Sequence, residues 1–285
     1  MSLTRASFED IVERIHTIPS LPEVVTQVVR LVNDPSSSAK QVEEIMAKDP
    51  AMAAKILRMV NSVYYGLKET VNDLEQAIAI LGFKTIRSIA LSISVINMFQ
   101  QKDAGFNMKA FWTHSAVCAC IGRLIGQRTK LPDPELAFII GLLKDIGMLI
   151  LVQYAPDETK ATIALAREYR LNFKRACRKV LDTDHQEVAA WLCERWGLDD
   201  SMTDTIRYQD DLEECQDPKM VSICLFSEYL CALKKIRVAG QCDEPKLSPQ
   251  VWQHLGFDKT ALLQAMSVVN DEVDNARRLL DLATA

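Results

Sequence analysis

An all-α fold is predicted for this chain of 285 residues. Three observations predict it. Apolar residues recur at the three-and-four spacing of a helix face along most of the length. Ser, Asp and Asp-Pro cap signals open one segment after another. No alternating strand and no Asn-Gly hairpin signal interrupts them. Gly and Pro number only 10 each, few for a loop-rich β architecture.

The elements follow in order. Ser20-Leu21-Pro22-Glu23 reads as a capping box with proline in the first turn, ahead of a stripe of Val24, Val25, Val28, Val29 and Leu31. Ser38-Ala39-Lys40-Gln41 repeats the cap before Val42, Ile45 and Met46. Asp49-Pro50 places a carboxylate at the cap and proline at the first helical position of Ala51 to Val60. Asp73-Leu74-Glu75-Gln76 starts a fourth helix, and Gly82 after Leu81 suits a left-handed stop. Between them, Asn61-Ser62-Val63-Tyr64-Tyr65-Gly66 breaks the helical run. Asn61, Tyr64 and Tyr65 there form either a packed helix junction or an aromatic contact for a partner.

The pattern continues as a long helix from Met108 to Arg128. Leu131-Pro132-Asp133-Pro134-Glu135 then feeds one helix through Gly141 to Val152. Further helices are expected over Asp157–Arg170, Phe173–Leu181, His185–Arg195 (closed by Gly197), Ser201–Tyr208, Pro218–Lys234 and Lys259–Leu282. The polar break Gln100–Gly105 divides the chain into an N-terminal helical subdomain, residues 1–104, and a second helical part, residues 105–285. Gly240 to Pro249 is a second loop, and no fixed-period repeat is present.

Composition excludes several classes of function. Lys+Arg total 33 against 38 Asp+Glu, a net charge of −5, which argues against broad nucleic-acid binding through phosphate neutralisation. The most apolar run, Ile89 to Phe99, falls short of the ~18 residues of a membrane span and reads as a buried helix. Residues 1–10 carry no apolar signal-peptide core. A cytoplasmic protein away from membranes is therefore expected. The eight cysteines, Cys118, Cys120, Cys177, Cys193, Cys215, Cys224, Cys231 and Cys242, make no C-x-x-C pair and read as buried reduced thiols. Cys118-Ala119-Cys120 is too close and too apolar for a metal site. Asp210 to Asp217 reads as a solvated acidic loop. Lys84 and Arg87 either face solvent or contact an anionic partner. No phosphate-binding glycine loop and no G-x-S-x-G elbow occurs.

Only four histidines exist: His16, His114, His185 and His254. His16 fits a helix end before Pro19, and His254 a structural turn. His114 lies on the long helix and precedes Gly141-Leu142-Leu143-Lys144-Asp145-Ile146-Gly147. Asp184-His185-Gln186-Glu187 and Tyr208-Gln209-Asp210-Asp211 come after it. That order resembles the HD superfamily of helical metal-dependent phosphohydrolases, with Lys144 standing where the histidine of the His-Asp pair belongs. Ile18-Pro19-Ser20-Leu21-Pro22, Asp49-Pro50, Asn61 to Gly66, and Leu74 to Ile78 followed by Leu81-Gly82 are similar to the HDOD family, the HD-related output domains of bacterial signalling proteins. The resemblance covers roughly Ile11 to Ser227 and matches less well beyond it.

The resemblance implies an HD-like helical bundle with an N-terminal helical subdomain. It also implies a role in bacterial signal transduction through protein contacts, without an established catalytic activity. Family members that retain metal-like residues often have a His-His pair after the tyrosine of the last motif, where this chain has Gln209 and Asp210. His114, Lys144, Asp145, His185, Gln209 and Asp210 are thus expected to form a degenerate HD pocket. An ammonium has no lone pair and repels a divalent ion, so no catalytic residue, metal or cofactor is expected, and Lys144 is expected to replace the metal electrostatically beside Asp145 and His114. The expected partners are proteins of a signalling pathway, or a second copy of the chain. Two other readings stand beside this one: an HD phosphohydrolase acting on a nucleotide or cyclic dinucleotide, and a small-molecule or nucleotide sensor using the degenerate pocket.

Overall fold

The computed structural model describes residues 6–15, 20–32, 34, 36–99, 106–238 and 246–284. Among these residues the secondary structure is helical, with no strand. The helices are α1 (Phe8–Arg14), α2 (Glu23–Val32), α3 (Ala39–Met46), α4 (Pro50–Val60), α5 (Leu74–Met98), α6 (Met108–Arg128), α7 (Pro134–Leu143), α8 (Gly147–Tyr154), α9 (Pro156–Tyr169), α10 (Phe173–Val180), α11 (His185–Arg195), α12 (Asp200–Arg207), α13 (Pro218–Leu233), α14 (Pro249–Leu255) and α15 (Lys259–Thr284). His16, Pro19, the Gln100–Gly105 break and Cys242 lie outside the described residues.

Most starts follow the cap chemistry. Ser38 and Gln41 make the reciprocal capping box of α3. Asp49, Asp73 and Asp133 each accept a first-turn N–H at the head of α4, α5 and α7. The start of α2 differs: the helix begins at Glu23, and Thr26 N–H donates to the Pro22 carbonyl at 3.0 Å. Two short helices had no sequence expectation. Ser7 and Asp10 cap α1 reciprocally, and α14 ends at Gly256 with His254 Nδ1 3.1 Å from Ser222 Oγ.

The run expected as one helix through Val152 is two. It breaks over Lys144-Asp145-Ile146, where Ile146 N–H donates back to Leu143 O and Met148 N–H to Asp145 O, one residue shorter than α-helical spacing. That break turns Lys144 and Asp145 into the interior.

The core is one continuous apolar cluster running from Ile11 to Ala283. In it α6 and α7 lie against each other, and α15 returns along α6 to reach α4 and α5 as well. By length and composition α5 could cross a membrane, and it begins at Leu74, well before the apolar run that starts at Ile89. Gly82 interrupts it at φ +81°, and α2, α3, α4, α7 and α15 pack around it, so 67% of its most apolar window is buried in protein. Arg87 does not face solvent or an outside partner. It is buried and reaches Asp133 and Asp199, both at 3.4 Å, while Lys84 pairs with the same Asp133 at 3.2 Å.

The Asn61 loop joins the two halves of the sequence. The Asn61 side chain donates to Leu57 O and Val71 O and accepts from Val71 N–H, which closes the loop. Tyr64 and Tyr65 meet edge to face at 5.0 Å, and the Arg123 guanidinium of α6 lies 5.1 and 5.2 Å from their ring centres. Arg123 also pairs with Glu135 at 2.6 Å. Both tyrosines are therefore committed to contacts within the chain, and the exposed apolar residue of the loop is Val63.

Candidate functional site

The site forms where α6, the α7–α8 break, the head of α11, the end of α12 and α13 converge. Close helix approach sets its dimensions. A Cβ at Gly141 would sit 2.7 Å from the Cys118 carbonyl oxygen of α6. One at Gly147 would sit 1.9 Å from the His185 carbonyl oxygen of α11. Only glycine permits either crossing.

His114, Lys144, Asp145 and His185 are brought together. Lys144 is 1% exposed, and its Nζ donates to Asp145 Oδ2 at 2.5 Å and to Glu228 Oε1. Asp145 also faces His185 Nε2 at 3.5 Å and His114 Nδ1 at 3.7 Å. The opposite edge of His114, Nε2, lies 3.3 Å from Glu228 and 3.7 Å from Cys118 Sγ. His185 is held at the first turn of α11, whose cap Asp184 accepts from Gln186 and Glu187 N–H and from Arg178. Gln209 plays a backbone role: its amide donates to the Lys144 and Ile206 carbonyls at 2.8 and 3.1 Å. Asp210 is outside the buried cluster and pairs with Lys174 at 2.5 Å on the rim.

Glu228 is the member of the cluster missing from the sequence expectation, together with Cys118 and Cys231. A signal existed. Glu228 is the one charged residue between Met220 and Leu233 on an otherwise apolar helix, and a carboxylate in such a run needs a partner.

Two cations and two carboxylates balance in this network. Burial opposes charging Lys144, but Asp145 and Glu228 outweigh it and hold its pKa well above the usual ammonium value. Burial also disfavours a charged His114, and Cys118 and Glu228 override it, so the imidazole keeps its proton well above the ordinary histidine range. Asp145 is buried, yet Lys144 and the two histidines hold its carboxyl far below the normal range. Glu228, against the same desolvation, is held down at about 2 by Lys144 and His114.

The consequence for pH follows in sign. A depressed carboxylate contributes stability above its unfolded pKa of about 4, lost as pH falls through the folded value. The urea midpoint should hold down to about pH 4.5 and drop steeply toward about pH 2. Glu228→Gln should show a flatter acid limb. An acid limb unchanged in that variant would exclude Glu228 as its source.

Above the cluster opens a cleft of about 470 Å³. Asp145, His185 and Glu228 lie at its floor, and Lys174, Arg175 and Lys246 are on its rim. The metal centre of HD phosphohydrolases does not fit these residues. The Lys144 ammonium lies between the two carboxylates that would hold a cation there, Asp145 and Glu228, and already half neutralises them.

The fold and this cluster define an HD-like helical domain with an ammonium in its central pocket. Residues 18–212 match the HDOD domain, and the chain belongs to that family. It is similar to an HDOD domain protein of unknown function from Geobacter sulfurreducens, at 22% identity and a TM-score of 0.82, covering 95% of this chain and 96% of that one. It is also similar to a candidate phosphohydrolase from Shewanella amazonensis SB2B (24% identity, TM-score 0.74, 95% and 97% covered). A candidate signal transduction protein from Marinobacter aquaeolei VT8 matches at 20% identity and a TM-score of 0.78, over 99% of this chain and 62% of that one. An uncharacterized protein of Treponema pallidum (strain Nichols) is 22% identical over 206 residues, which is 71% of this chain and 39% of the relative. The chain thus spans well under half of that curated relative's length.

Proposed function

We propose that this HDOD chain is a non-catalytic regulatory protein of a signalling pathway, working in the cytoplasm through contacts with partner proteins or a second copy of itself. The observation that carries the reading is the Lys144 ammonium bridging Asp145 and Glu228 inside the pocket. A phosphohydrolase of this class needs a Lewis-acidic cation to generate its nucleophile, and here an ammonium already bridges the two carboxylates that would help hold it. The likeness to a candidate signal transduction protein supports the regulatory part. With manganese or nickel supplied, wild-type protein should hydrolyse bis-p-nitrophenyl phosphate no faster than buffer. A metal-dependent rate abolished by Asp145→Asn would replace this reading with the phosphohydrolase.

A sensor role for the cleft is the second reading. Its support is the basic rim together with two buried polar atoms of cleft residues, His185 Nδ1 and Gln186 Oε1, that have no hydrogen-bond partner in the structure. A nucleotide that raised the melting temperature in proportion to its concentration would favour it.

A further inference from the structure

The His114 imidazole divides two environments. Its Nδ1 edge faces Asp145 and the ion network. Its Nε2 edge faces sulfur: Cys118 Sγ lies 3.7 Å away, and Cys231 Sγ lies 3.5 Å from Cys118 Sγ. The three donor atoms are all within 4.8 Å of one another, and all three residues are buried. They come from two helices, α6 and α13, with His114 and Cys118 one helical turn apart on the same face of α6.

The two separations that involve Cys118 are close to the edges of a metal tetrahedron. Bonds of about 2.3 Å to sulfur and about 2.0–2.1 Å to nitrogen place two thiolates about 3.8 Å apart, and a thiolate about 3.6 Å from an imidazole nitrogen. The sulfurs here need to separate by only a few tenths of an ångström. Glu228, 3.3 Å from the same His114 nitrogen and 3.8 Å from Cys118 Sγ, is the carboxylate closest to the remaining position.

We propose that His114, Cys118 and Cys231 bind one thiophilic divalent cation of the zinc class, with Glu228 beside the fourth position. This inference goes beyond the regulatory reading and does not rest on it. The charge balance separates this set from the oxygen-lined side of the pocket. On binding, the two thiols and the His114 imidazolium release three protons to solvent and coordinate as two thiolates and a neutral imidazole. The thiolates and the Asp145 and Glu228 carboxylates then outweigh the cation and the Lys144 ammonium together by one negative charge. Lys144, which excludes a hard cation from Asp145, here balances excess negative charge. Soft thiolate ligands also select for zinc over manganese or magnesium. The cation's route in is the cleft, since Glu228 is both its neighbour and part of the cleft lining.

The test uses the full chain, purified under thiol reductant without chelator, loaded with zinc and freed of excess by gel filtration. About one equivalent of zinc should remain by mass spectrometry. Cobalt(II) in its place should show a thiolate-to-cobalt charge-transfer absorption. Both should disappear in Cys231→Ala and persist in His185→Ala. Should Cys231→Ala fail to fold, an organomercurial titration of the wild type reads the same point, because it should release the zinc stoichiometrically. The proposal is overturned if folded wild-type protein retains under about a tenth of an equivalent. It is equally overturned if cobalt binds without the thiolate band, if Cys231→Ala keeps its zinc, or if the organomercurial releases none.

Discussion

Lys144→Met should lower the unfolding free energy by about 3–5 kcal/mol, the cost of removing one partner of a buried ion pair. Methionine keeps the length of the lysine stem, so the change is chiefly the loss of charge. Two carboxylates, Asp145 and Glu228, would then face each other at the floor of the cleft with only His114 and His185 to neutralise them. One of them should take up a proton at higher pH than in the wild type, because Lys144 no longer lowers it and burial and a like charge both favour the neutral acid. The double variant Lys144→Met/Asp145→Asn should lose less than the sum of its single changes, since it removes both members of the closest pair. Urea unfolding of the four proteins measures all of this. A Lys144→Met midpoint within about 1 kcal/mol of wild type would mean that the ammonium contributes nothing to holding the helices together.

Gly147→Ala should be comparably damaging, at about 3 kcal/mol or more, the upper end of overpacking costs. Alanine favours a helix over glycine by up to about 1 kcal/mol, so propensity alone predicts the opposite sign. The added methyl would stand 1.9 Å from the His185 carbonyl oxygen and 2.8 Å from Ala189 N, both backbone atoms that cannot rotate away. The head of α8 would have to move off α11 and carry Asp145 away from His185. A melting temperature at or above wild type would contradict the close crossing of α8 and α11.

The parts of the fold legible in the sequence are those fixed by local chemistry. Asp49-Pro50, Ser38 with Gln41, Asp73 and Asp133-Pro134 announce their helices because capping is decided within one turn. The α7–α8 break was not legible. From Pro134 to Val152 the chain is apolar almost all round, and its two glycines, Gly141 and Gly147, both belong to helices and do not act as stops. Packing against α6 and α11 imposes that break. Arg87 was misread for a related reason. Its partners Asp133 and Asp199 lie 46 and 112 residues away, beyond any local pattern. His114, Asp145 and His185 were legible as a group because their motifs come in a fixed order, and Lys144 stood out as the substitution among them. Glu228 and Cys231 belong to no such motif, and only the fold carries α13 onto α6.

The claim at the centre of this account is that Lys144 takes the place of a hard divalent cation. Manganese binding followed by electron paramagnetic resonance tests it most directly, because manganese prefers oxygen and imidazole and discriminates against the thiol set of His114, Cys118 and Cys231. Wild-type protein should bind under about a tenth of an equivalent, and Lys144→His should bind several times more. Close to one equivalent on the wild type, lost in Asp145→Asn, would contradict the account, because a cation would then share the pocket with the lysine said to exclude it.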